Sequence, residues 1–199
     1  ELGPSALLGP PRIWENMLTA LEVRAADASW LKRKAYSWFR DVAVRRELLK
    51  EDNKAIPFGT RLAYWLGEFV VYGPVRDQLG LRRARWCLTG GAPLGPDTFR
   101  FFRSFGVNLK QIYGATEATA RVAWQRDGEA DPNTVGRTLP GTEVRIGDRG
   151  EVQVRGPGVF KGYYKQDEAT RDALTPDGWL RTGDAGFIDP RGHLAIIDR

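Results

Sequence analysis

The chain has 199 residues, 42% hydrophobic and 28% charged, which makes it globular with material for one core or two small ones. No run of eighteen apolar residues occurs, and the opening ELGPSALLGPPR lacks the basic start and long apolar stretch of a secretory signal, so neither a spanning helix nor a signal peptide is expected. The net charge of +5 suits anionic small ligands, nucleic acid or a membrane surface equally, and by itself selects none of them.

The first eighty residues read as helical. The Gly/Pro-rich opening is taken as a connection. Pro11 suits a first helical turn, with Ile13, Met17, Leu18 and Leu21 on one stripe. A second helix over residues 28–50 sets Leu31, Ala35, Trp38, Phe39 and Val42 on one face, with Lys32, Arg33, Lys34, Arg40, Arg45 and Arg46 supplying charge. That helix has two readings: an aromatic and basic surface for an anionic membrane, or a helix that turns its aromatics inward and leaves a solvated basic face. A third helix carries Leu62, Trp65, Leu66, Phe69 and Val70 at amphipathic spacing, and Gly73-Pro74 interrupts it.

From residue 84 the rhythm changes. ARWCL (84–88) reads as a strand, TGGAPL (89–94) as a turn, PDTFRFFRSFG (96–106) as a short helix closed by Gly106, and VNLKQIY (107–113) as a strand. Strand, helix and strand with short connections predict a parallel βαβ unit. TGGAP and YGATE then follow strand carboxyl ends, where open α/β sheets bind ligands. Beyond residue 130, GTEVRI, GEVQVRG and GHLAIIDR alternate as short antiparallel strands. The expected fold is α/β: helices and a parallel βαβ portion over 1–130, then a smaller β-rich, barrel-like subdomain over 131–199, with the boundary near 128–136.

Three stretches can carry chemistry. At the end of a strand, Thr116 and Glu117 beside Gly114 can meet a phosphate and its Mg²⁺, a cation that usually takes one or two carboxylates plus phosphate oxygens. They can equally be a helix start, with Thr116 as cap and Glu117 in the first turn. TGGAP is either a close backbone approach to a ligand or an ordinary tight turn. Asp184, in the TGD of GWLRTGDAG, can accept from a ribose diol or sit in a plain, exposed β-turn. The single cysteine, Cys87, excludes an internal disulfide, fits a reducing, cytoplasmic setting, and reads as a core residue. His193, the single histidine, argues against a Ser-His triad within the chain and reads as a strand-edge surface residue.

Taken together, PRIWENM (11–17), TGGAPL (89–94), YGATEAT (113–119), GEVQVRGPGVFKGYY (150–164), GWLRTGDAG (178–186) and GHLAIIDR (192–199) resemble the adenylate-forming acyl-activating enzymes, and within them the long-chain fatty acyl-CoA synthetases. The specific feature is the ordered set: YGxTE, then GWxxTGD about sixty-five residues later, then a strand ending in Asp-Arg. The resemblance implies ATP, Mg²⁺ and coenzyme A as cofactors and co-substrates, and a fatty-acid-type carboxylate as substrate. It implies no nucleic-acid partner. Gly90, Gly91, Ala92 and Pro93 would line the adenine side, with Gln111 and Tyr113 near the base. Gly114 and Ala115 would belong to the nucleotide-binding set, Thr116 would contact the α-phosphate, and Glu117 would hold Mg²⁺. Asp184 would hold the ribose hydroxyls, helped by Arg199.

The family's upstream phosphate loop and its small C-terminal domain with the adenylation lysine have no counterpart here. The chain therefore reads as a piece of a longer protein, unable to activate a carboxylate alone. Two other functions stay open: a fatty acyl-AMP ligase or carrier-loading adenylation domain, and a non-catalytic basic module for membrane or nucleic acid.

Overall fold

A computed structural model describes residues 3–198, and they fall into two compact units that divide between Leu109 and Lys110. The first unit opens with strand β1 (Ala6–Gly9), then helices α1 (Pro11–Ala26), α2 (Trp30–Glu51) and α3 (Phe58–Gly67). One π-helical turn, Glu68–Tyr72, joins α3 to α4 (Gly73–Gln78); β2 (Trp86–Thr89) and α5 (Pro96–Ser104) follow. β1 lies parallel to β2, with Leu7 opposite Cys87. A strand was not expected at β1. Its short run, ALLG, takes its extended form from a partner some eighty residues away, a pairing that local periodicity does not encode.

Local chemistry explains most helix ends. Pro11 and Pro96 start their helices, where a missing N–H costs nothing. Asp97 and Arg103 sit at the favourable ends of the α5 dipole, and Gly106, at φ +81°, ends the turn beyond α5 in the left-handed region. Gly73-Pro74 behaves differently from expectation, since the helix continues through it. Proline in a regular helix clashes with the carbonyl four residues earlier. The wider π turn relieves that crowding, and an added Cβ on Gly73 would lie 2.6 Å from the Glu68 carbonyl oxygen.

The core of this unit is aromatic. Trp14 packs edge-on against Phe102 (5.1 Å between centroids), Phe101 lies 4.4 Å from Phe105, and Tyr72 meets Phe39, Tyr64 and Phe105. Tyr72 donates to the Phe39 carbonyl at 2.7 Å, and burial holds its phenol above the ordinary range. The charged layer over this core is paired: Arg103 reaches Glu47 (3.1 Å) and Arg100 reaches Glu51 (2.9 Å). Cys87 is fully buried, as expected, and burial pushes its thiol up to about 11.

The expected α2 face turns inward only in part. Phe39 is buried with Ala43 and Glu47, whereas Trp30, Leu31 and Trp38 are exposed. On α3 and the π turn, Leu62, Trp65, Leu66, Phe69 and Val70 keep their amphipathic spacing but face outward. The opposite face, through Tyr64 and Gly67, packs on α2, where Arg46 lies 4.0 Å over the Tyr64 ring. Amphipathic spacing identifies a face without saying what covers it.

The second unit is mainly β. β3 (Leu109–Tyr113), β4 (Ala123–Trp124) and β5 (Arg137–Thr138) run antiparallel. A separate antiparallel sheet has the order β6 (Glu143–Ile146), β7 (Glu151–Arg155), β8 (Leu180–Ile188) and β9 (Leu194–Asp198), with α6 (Asp167–Ala173) before β8. Its core gathers Ala118, Val122, Ala123, Val152, Val154, Leu180 and Leu194. His193 is buried, not at a surface edge: its Nδ1 lies 3.4 Å from the Thr134 hydroxyl and its Nε2 3.7 Å from Glu129. The isolated bridge between Gly136 and Leu194 draws this segment inward. Among the described residues no helix is long and apolar enough to cross a membrane.

Truncating Phe102 to Ala should cost about 3–5 kcal/mol, as for other buried aromatics. Tyr72→Phe should cost about 1 kcal/mol, the net worth of one hydrogen bond. Urea unfolding should show both as lower midpoints at unchanged slope. Equal costs for the two would mean that the Tyr72 hydroxyl matters as much as a whole core ring.

Candidate nucleotide site

The loop from β3 to β4 is built around a close backbone approach. The Val122 amide donates to the Tyr113 carbonyl (3.0 Å), tying the two ends of the loop. Inside it, the Ala118 and Ala120 amides both donate to the Ala115 carbonyl (2.9 and 2.8 Å). A Cβ on Gly114 would overlap the Ala120 backbone, so only glycine fits there. Thr116–Ala118 form a single 3-10 turn whose cap position is Ala115, so Thr116 is its first residue and not its cap. Glu117 lies in that turn as the helix-start reading had it, half-buried, and Thr116 is exposed. Thr119 and Ala120 then adopt successive left-handed conformations (φ +52° and +53°). Non-glycine residues pay steric energy there, and such strain persists where surrounding structure over-determines it.

Asp184 comes to this loop from far along the chain. It lies within β8, not in an exposed turn, and is 7% exposed. The β7–β8 register shifts between the Glu151–Ala185 and Gln153–Arg181 pairs, so the TGD stretch is a bulge. Gly183 takes φ +73°, the Thr182 hydroxyl donates to the Val152 carbonyl (2.7 Å), and the Asp184 amide donates to the Thr182 oxygen (3.1 Å). Bulges re-aim side chains. Here the carboxylate accepts from the Tyr113 hydroxyl at 2.7 Å, joining residues 71 apart in sequence.

The other expected residues lie as follows. Gln111 is buried, and its side-chain amide donates to the Pro132 and Thr134 carbonyls (3.0 and 3.1 Å). Gln125 accepts from the Gln111 backbone amide (2.9 Å) and donates to the same Thr134 carbonyl (2.7 Å). This pair of glutamines fixes the 131–134 loop. Gln125 carries no sequence signal that would have found it. Gly90, Gly91, Ala92 and Pro93 lie in the first unit, in the connection between β2 and α5. Gly91 has φ +86° with open space around it, so its backbone angle, not crowding, favours glycine. Just before it the buried Thr89 hydroxyl makes no hydrogen bond among the described residues. Arg199 lies outside the described residues.

Sequence reasoning missed Tyr163. It stands in the quoted GVFKGYY stretch, yet nothing there assigned it a role. Its hydroxyl donates to Glu117 Oε1 at 2.7 Å, and that bond holds the phenol above its ordinary range. The Phe160 amide donates to the Glu117 carbonyl, also at 2.7 Å.

No cluster of three or more His, Cys, Asp or Glu able to hold a metal occurs among the described residues. The donor set at the loop, one carboxylate beside an exposed hydroxyl, is the kind that binds Mg²⁺ together with nucleotide phosphates. It fits that ion without a dedicated protein cage.

The AMP-binding enzyme family model matches residues 1–164. The chain belongs to the AMP-binding enzyme family. Relatives share its whole length: a Mycobacterium tuberculosis protein with the provisional name fatty-acid–CoA ligase fadD11 is 35% identical over 205 residues, covering 35% of that protein. The peroxisomal long chain acyl-CoA synthetase 7 of Arabidopsis thaliana is 33% identical over 214 residues, covering 29% of it. This member of the family thus spans about a third of the length of the relatives it matches. Among solved structures, the o-succinylbenzoate coenzyme A synthetase of Bacillus subtilis, in complex with ATP and magnesium ion, is 29% identical with a TM-score of 0.54, over 59% of this chain and 27% of that one.

Because Asp184 is buried and paired, its loss should be felt in stability. Asp184→Ala should cost about 1–3 kcal/mol and Tyr113→Phe about 1 kcal/mol. A double-mutant cycle should give a combined cost clearly below the sum. Strict additivity would show that the two side chains do not act together.

Proposed function

We propose that this chain is the nucleotide-handling part of an ATP-dependent acyl-CoA synthetase acting on a fatty-acid-type, long-chain carboxylate. The observation that carries this reading is the Tyr113–Asp184 hydrogen bond, which ties the first residue of YGATE, at the root of the loop that carries Thr116 and Glu117, to the TGD bulge. Family membership and the relatives' names supply the reaction class.

In the proposed reaction a carboxylate oxygen attacks the α-phosphorus of ATP and pyrophosphate leaves. The thiol of coenzyme A then attacks the acyl carbonyl, and AMP departs. A carboxylate resists nucleophiles until a good leaving group replaces its anionic oxygen. Thr116 is assigned to the α-phosphate and Glu117 to Mg²⁺, which would supply positive charge where the phosphate becomes more negative. Asp184 is assigned to the ribose hydroxyls, with Tyr113 holding its carboxylate in place and Arg199 assisting. Gly90, Gly91, Ala92 and Pro93 are assigned to the adenine side. Gln111 is assigned near the base through the 131–134 loop, since its side-chain amide is occupied by that loop's carbonyls.

ATP–pyrophosphate exchange by the whole protein, run over a panel of carboxylates, tests the reading. Exchange should proceed without coenzyme A, peak at a long chain length, and give a thioester once coenzyme A is added. Exchange with no thioester would favour an acyl-AMP ligase or a carrier-loading domain. No exchange with any carboxylate, alongside salt-sensitive binding to anionic vesicles or RNA, would overturn it in favour of a binding module.

At the residue level, Asp184→Asn should weaken ATP binding by about 1.5–3 kcal/mol, the worth of a charged hydrogen bond. Glu117→Gln should raise the Mg²⁺ concentration needed for half-maximal adenylation, with less effect on preformed acyl-adenylate reacting with coenzyme A. Losses of equal size in both half-reactions would indicate a folding defect.

A further inference from the structure

Glu117 is gripped from one segment at two points. The Phe160 amide holds its backbone carbonyl and the Tyr163 hydroxyl holds its carboxylate, each at 2.7 Å. Tyr163 is itself restrained. Its ring packs edge-on against Phe160 at 4.8 Å, and its amide donates to the Thr170 hydroxyl (2.9 Å), which in turn donates to the Gln166 carbonyl (2.8 Å) at the start of α6. We propose that Tyr163 is a positioning residue: its hydroxyl fixes the direction of the Glu117 carboxylate for a divalent cation. This rests on the reading of Glu117 as the metal-binding carboxylate.

The physical need is clear at this position. Glu117 sits half-exposed on a single 3-10 turn, and a long side chain there loses rotamer entropy whenever one orientation is demanded of it. Mg²⁺ demands near-ideal octahedral geometry, so it is sensitive to a misdirected oxygen. A phenol donating to a carboxylate makes a short, charge-assisted bond. It uses one of two acceptor positions on Oε1 and leaves that oxygen chemically able to meet a cation. Hydrogen-bonding partners of metal-bound carboxylates generally set affinity by 10–100-fold. With the Phe160 amide bond intact, the turn should stay in place when the phenol is altered. It therefore separates the direction of the side chain from the fold of the loop.

The test is Mn²⁺ binding to the ATP-loaded whole protein without carboxylate, read as free Mn²⁺ by electron paramagnetic resonance. Tyr163→Phe keeps the ring on Phe160 and removes only the hydroxyl. It should weaken Mn²⁺ about tenfold, leave the metal-free thermal midpoint unchanged, and have no further effect in a Glu117→Gln background. Wild-type Mn²⁺ affinity in Tyr163→Phe, while Glu117→Gln loses it, would overturn the positioning role alone. An equal tenfold loss in the Glu117→Gln background would also overturn it, because the hydroxyl would then act elsewhere. Unchanged affinity in Glu117→Gln itself would instead remove the reading of Glu117 on which the inference rests.

Discussion

A buried carboxylate must be hydrogen-bonded, and in the second unit that requirement organises the site. Asp184 emerges from a bulge in β8 and takes the Tyr113 hydroxyl, while Thr182 holds the bulge open from both sides. If β8 ran as a regular strand, the alternation of its side chains would be set by the ladder alone. The extra residues shift that alternation and bring the carboxylate to the end of β3. The β3–β4 loop, closed by Val122 and Tyr113 and crowded at Gly114 and Ala120, supplies the fixed point it meets.

The loop and the GVFKGYY segment form a second level of support. Two bonds to Glu117, one to its backbone and one to its side chain, come from residues three apart. Short-range crowding makes the turn, and longer-range bonds orient what it carries. The left-handed Thr119 and Ala120 are held by short-range bonds, their amides donating to the Thr116 and Ala115 carbonyls.

Much of this was legible from the sequence. The strand at Trp86–Thr89, the helix at Pro96–Ser104 and the strand ending at Tyr113 follow from alternation, proline and glycine placement. What failed shares one cause. Whether Asp184 lies in a turn or a bulge and whether His193 is inside or outside both depend on partners distant in sequence. Periodicity defines faces and glycine defines permitted angles, but neither names the opposing surface. β1 was overlooked for the same reason.

The π turn at Glu68–Tyr72 has a consequence for how this helix tolerates change in length. A π turn holds one residue more than the α turn it replaces, so it amounts to an insertion absorbed without breaking the helix. Removing one residue there would restore regular α geometry and leave the helix beyond it in its present phase. Arg76 would still face the Phe105 carbonyl, to which it now donates. Pro74 would instead meet the carbonyl it now avoids. The constraint on shortening the run from α3 to α4 is therefore local: it falls on position 74, where the wide turn admits a proline that a regular turn would not.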